Sequence, residues 1–212
     1  MKKNIVKVVL LITVILLIIV LINIIKEEIN QKKEELLETK SINQIINNIN
    51  VQPNEVSTNN TYELTNNENI VNKSKENEKT TEGLIEYELV LEIPKISLKK
   101  GILNKNNPDN NVDKNITILK ESSYPNETGT IYLAAHSGNG KQSYFNDLKE
   151  LVISDEAILY YQNQKYIYYV KEIKEVNKNS QLSLLTQKEK SLILITCSQT
   201  NKNKYLIIIL TQ

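Results

Sequence analysis

The chain has 212 residues with 26 basic and 25 acidic side chains, a formal net charge of +1 that gives no global field for nucleic acid or an acidic partner. It has one Cys and one His, which excludes an internal disulfide and the usual zinc ligand sets. Arg and Trp are absent and Phe occurs once, so beside 11 Tyr the apolar mass is mostly Ile, Leu and Val.

The first predicted element is an apolar run from Val8 to Ile25, 18 residues without a charge, at the lower end of what spans a bilayer as a helix. Lys2, Lys3 and Lys7 precede it, whereas the charges after it are mixed, which predicts a cytoplasmic N-terminus and an outward-facing remainder. A cleaved signal would have a shorter apolar region and a small-residue cleavage site. Asn23-Ile24-Ile25-Lys26 does not supply one. Residues 1–25 therefore read as a cytoplasmic tip and single-pass anchor in the cell membrane.

Residues 26–83 read as a helical stalk followed by a flexible spacer. Ile42, Ile45, Ile46 and Ile49 recur at helical spacing, giving one apolar face. That helix either continues the anchor or folds back on a domain, and Pro53 ends it. From Val51 to about Glu82, Asn, Thr, Glu, Lys and Ser dominate. Such a stretch buries too little apolar surface to offset its ordering entropy.

Residues 84–212 form the one domain with a core. Leu89–Ile93 is a strand candidate before Pro94. A turn-rich stretch, Asn104–Asn115, leads to a strand candidate at Ile116–Leu119. Thr130–Ala135 is a further strand, ending at His136 and the Ser137-Gly-Asn-Gly140 turn. Tyr144, Phe145, Leu148 and Leu151 have helical spacing and predict a short helix. Ala157–Tyr161 and Lys165–Val176 flank Gln162-Asn163-Gln164 as a hairpin. Leu192–Thr196 and Tyr205–Leu210 are apolar on both faces, which suits a wall covered on both sides. Many strands and few helices predict a mainly β fold, a closed or nearly closed barrel.

The only Cys and the only His each end a hydrophobic strand and precede a polar loop, where a rigid scaffold presents reactive groups. A thiol becomes a nucleophile when a base or cation favours its thiolate. Spacing alone leaves open a buried Cys197 and a surface His136.

Leu192-Ile-Leu-Ile-Thr196-Cys197 resembles the T-L-x-T-C signature of sortases, with Ile193 in place of the first Thr. Thr130–His136 followed by Tyr144-Phe145-Asn-Asp-Leu148-Lys-Glu-Leu151 resembles their strand–His–turn–F-x-x-L segment, and Leu89–Pro94-Lys-Ile96 their opening strand. The resemblance implies a closed eight-stranded sortase-type barrel with short helices after an N-terminal transmembrane helix; it leaves the class open, with a class D-like enzyme among the choices. It implies a transpeptidase in which Cys197 attacks an LPXTG-like sorting signal to form a thioacyl enzyme. His136 then protonates the leaving amine and deprotonates the incoming one. Partners would be secreted proteins with a C-terminal sorting signal and a cell-wall peptide or pilin amine, with no nucleic acid. Thr196 would lie beside the substrate.

One departure stands out. Sortases carry an Arg at the start of the strand after the Cys loop, and this chain has none. Lys204 is the nearest substitute by position, then Lys202, with Tyr205 as a neutral donor. A Lys supplies a compact charge without the bidentate fork. The missing Arg keeps a peptide-binding module open, and the shared thioacyl intermediate keeps open a thiol hydrolase with little transpeptidation. No cofactor is expected. Asp109, Asp113 and Glu121 could bind Ca²⁺, but they lack a ligand pattern and read as a solvated loop.

Overall fold

The computed structural model describes residues 2–50, 84–179 and 189–212. The expected spacer and the segment before the Cys strand therefore lie largely outside the described residues. Two compact units are present, Met1–Lys40 and Ser41–Gln212.

A single helix, α1 (Lys2–Asn50), runs without a break from the apolar run into the charged stretch. In the first unit, Leu10 to Ile25 is exposed throughout, the pattern of a candidate membrane span. Burying these side chains needs a surrounding apolar medium. The last turns of α1 belong to the second unit. There the predicted stripe is used: Ile42 is buried, and Ile45, Ile46 and Ile49 pack with Val90, Ile158 and Tyr160. Ser41 Oγ accepts the Ile85 N–H at 3.1 Å.

The described residues of the second unit also form eight strands: β1 (Leu89–Ile93), β2 (Leu98–Ile102), β3 (Thr117–Ile118), β4 (Thr130–Ala134), β5 (Glu156–Tyr161), β6 (Gln164–Asn177), β7 (Ser191–Cys197) and β8 (Lys204–Thr211). They form one mixed sheet in the order β2-β1-β5-β6-β8-β7-β4-β3, a nearly closed barrel. The β5–β6 connection is a two-residue turn with φ of 47° at Gln162 and 59° at Asn163. Two positive φ values give the turn whose twist matches a hairpin.

Alternation along the strands separates two apolar faces. Leu192, Leu194, Ile208 and Leu210 join Ile131, Leu133 and Phe145 in the barrel core. The intervening Ile193, Ile195, Ile207 and Ile209 are also buried, in a second cluster with Tyr132 on the opposite face. This explains why β7 and β8 are apolar at nearly every position.

Two elements differ from expectation. The segment after Tyr144 forms only a 3-10 turn at Leu148–Glu150. Its helical spacing serves burial of Phe145, Leu148 and Leu151, while the Asn146 side chain accepts the Gly138 N–H instead of supporting a helix. Strand β2, Leu-Lys-Lys-Gly-Ile, has no alternating signature, yet pairs with β1 from Leu98 to Ile102.

Candidate active site

Strands β4 and β7 are parallel neighbours, with Ala134 in register with Ile195. Two residues beyond each lie His136 and Cys197, so the parallel pairing brings the chain's only His and only Cys to the same end of adjacent strands. Neighbouring strands are about 4.8 Å apart. Tyr132 and Ala134 point to the second apolar cluster, as do Ile193 and Ile195. Continuing the alternation along β7 puts Cys197 on that same face, while His136 lies just beyond the end of β4.

The two strand ends are tied together at successive residues. The Ala135 N–H donates to Ile195 O at 3.2 Å. Thr196 Oγ donates to Ala135 O at 2.8 Å, and Ser137 Oγ donates to Cys197 O at 2.6 Å. The Phe145 N–H holds His136 O at 3.0 Å. Thr196 is 3 % exposed, so its hydroxyl fastens the strands. Cys197 is a free, half-buried thiol. A cavity of about 160 Å³ opens beside it, lined in part by Phe145, Glu175, Thr196, Gln199 and Leu206.

The β7–β8 register sets Cys197 opposite Tyr205. Tyr205 therefore shares the Cys197 face, and Lys178 Nζ lies 5.4 Å from its ring centroid. Lys204, one residue earlier, falls on the face of Thr196 and Leu206. Its ammonium lies 3.4 Å from Glu175 Oε2. Lys202 is exposed in the turn between β7 and β8.

Glu175 organises that turn. Ser198 Oγ donates to Glu175 Oε1 at 2.5 Å and Thr200 Oγ to the same oxygen at 2.8 Å. Ser198 Oγ also accepts the N–H groups of Thr200 and Asn201. These hydroxyls, then the Lys204 ammonium, hold the Glu175 carboxyl below its ordinary value.

The acidic residues considered for Ca²⁺ do not converge. Asp109 pairs with Lys114, and Asp113 Oδ1 lies 3.1 Å from His136 Nε2. Among the described residues, no group of three or more His, Cys, Asp or Glu side chains is placed to hold a metal. The contacts of Asp113, Ser137 and Glu175 are not legible in the sequence, because each joins at least two elements.

The sortase domain family matches residues 91–212, more than half the chain. Sortase D of Bacillus subtilis (strain 168) is 32 % identical over 109 residues, covering 51 % of this chain and 52 % of the relative. The matched stretch thus spans about half that relative's length. A Clostridium perfringens Sortase D5 transpeptidase superposes with a TM-score of 0.50 at 21 % identity, covering 58 % of this chain and 76 % of the other. Sortase C1 of Streptococcus agalactiae superposes with a TM-score of 0.51 at 26 % identity, covering 57 % and 65 %. On the family match and the shared barrel, the chain belongs to the sortase family.

Proposed function

We propose that this protein is a membrane-anchored cysteine transpeptidase, class D-like, acting on secreted proteins that carry an LPXTG-like sorting signal. The observation that supports the reading is the parallel β4–β7 pairing, whose two strands lead to His136 and Cys197 at the same barrel end. The Cys197 thiolate attacks the Thr–Gly carbonyl, forming a carbon–sulfur bond. As the carbon–nitrogen bond breaks, the His136 imidazolium gives its proton to the leaving amine. An incoming cell-wall or pilin amine then attacks the thioester and loses a proton to His136, and the thiolate leaves. Residues 1–25 hold the enzyme in the membrane with its N-terminus in the cytoplasm, 26–83 act as stalk and spacer, and 84–212 carry the chemistry.

The absent arginine leaves the oxyanion helper to Lys204, Lys202 or Tyr205. Strand register favours Tyr205, which shares the face of Cys197 and has the Lys178 cation over its ring. Lys204 would have to leave Glu175 to take the role. That engagement keeps a second reading in play, a peptide-binding module that turns over little.

The test incubates the full chain in detergent with an LPXTG-like peptide and an amine acceptor, read by mass spectrometry. A ligated product lost in Cys197→Ala is expected. Cleavage without ligation at any acceptor concentration would make it a hydrolase. Binding that survives Cys197→Ala, with no cleavage by the parent chain, would contradict the enzyme reading.

A further inference from the structure

We infer that Asp113 is a positioning residue for His136, making a Cys197–His136–Asp113 relay; this rests on the acyl-transfer reading above. Asp113 Oδ1 lies 3.1 Å from His136 Nε2. An imidazole that donates Nε2–H to a carboxylate keeps Nδ1 for proton exchange with a nucleophile or an amine. The carboxylate only accepts this hydrogen bond, while the transferred proton moves between Nδ1 and the reacting groups.

The surrounding contacts aim this pair. The neighbouring cation, Lys114, is taken by Asp109 at 2.5 Å, which leaves the Asp113 carboxylate to the ring. The turn that carries Asp113 is stitched by the Asn110 side chain, which bonds both Ile118 N and Ile118 O, and by Asn115 Nδ2 to Asp109 O. Tyr144 Oη donates to Lys114 O at 3.3 Å, and the next residue, Phe145, donates its N–H to His136 O at 3.0 Å. One dipeptide thus holds the backbone on both sides of the pair. Both side chains are exposed, 46 % for His136 and 85 % for Asp113, so the pair adds little to stability. Its effect is expected on orientation.

The test uses the full chain in detergent with Asp113→Ala, Asp113→Glu and Tyr144→Phe. In Asp113→Ala, kcat should fall about tenfold with KM within twofold. Asp113→Glu should recover part of the loss, and Tyr144→Phe should lose about threefold. Since the chain has one His, its ring ¹⁵N signals report His136 alone. At alkaline pH they should read as a single Nε2–H tautomer in the parent and as a tautomer mixture in Asp113→Ala. Identical ring spectra in both would overturn the inference, even if no peptide is turned over. An unchanged kcat, or a change in KM alone, would also overturn it.

Discussion

Ser137 Oγ donates to the carbonyl of Cys197 at 2.6 Å, so the residue after the candidate base grips the backbone of the candidate nucleophile. It continues a ladder begun by Ala135 and Thr196 and extends the β4–β7 alignment past the last paired strand residues. A single bond of this kind is worth about 1 kcal/mol net. Ser137→Ala should therefore lower kcat roughly fivefold if that energy holds the reacting pair in register. Steady-state kinetics with a sorting-signal peptide would show it; a change below twofold would mean that the other two ties suffice.

The oxyanion helper can be assigned by comparing two conservative variants. Tyr205→Phe keeps the ring and removes the hydroxyl, and it should cost about 10²–10³-fold in kcat if the hydroxyl meets the oxyanion. Lys204→Met should stay within about threefold, because its ammonium is engaged with Glu175. The reverse order would return the role to Lys204.

Glu175 predicts an acid limb in stability. Its carboxyl is held below the ordinary value of 4.5 by Ser198 and Thr200, with Lys204 adding to them. A folded-state value depressed in this way stabilises the fold above the unfolded-state titration. That contribution is lost as pH falls through the lower folded-state value. Between pH 7 and pH 3, Tm should therefore fall less steeply in Glu175→Gln than in the parent. Parallel Tm curves would show that Glu175 is not coupled to folding.

Gly101 is fixed by a close approach. A Cβ there would run into the ring of Tyr87, which lies against the β2 backbone. Gly101→Ala should cost about 1–3 kcal/mol through overpacking. A denaturant midpoint would detect it, with kcat unchanged at a temperature where the variant is folded. No loss of stability would mean that Tyr87 swings aside freely.

Much of the barrel was readable because its strands have strong local signals. Leu192–Thr196 and Tyr205–Leu210 are continuous apolar blocks, and the structure explains their two-sided character by two buried clusters. The stripe Ile42, Ile45, Ile46 and Ile49 was visible, but not its partner: Val90, Ile158 and Tyr160 are more than 40 residues away in the chain. Strand β2 was missed because Lys99, Lys100 and Gly101 give no alternating signal, and its pairing is supplied by β1. Cys197 and His136 stood out as unique residues at strand ends. In the sequence Asp113 reads only as part of a solvated loop, since the turn that carries it to His136 is held by contacts with Ile118 and Tyr144. Nothing in the sequence sets Glu175 apart from the other charges between Lys165 and Val176. Its role arises from the return of the Cys loop to β8.

The most direct measurement is the intact mass of the full chain after mixing with an LPXTG-like peptide in the absence of amine. The thioacyl mechanism predicts an added acyl mass on one site, mapped to Cys197, lost in Cys197→Ala and formed much more slowly in His136→Ala. No adduct across a broad panel of such peptides, or an adduct that forms equally fast without His136, would contradict it.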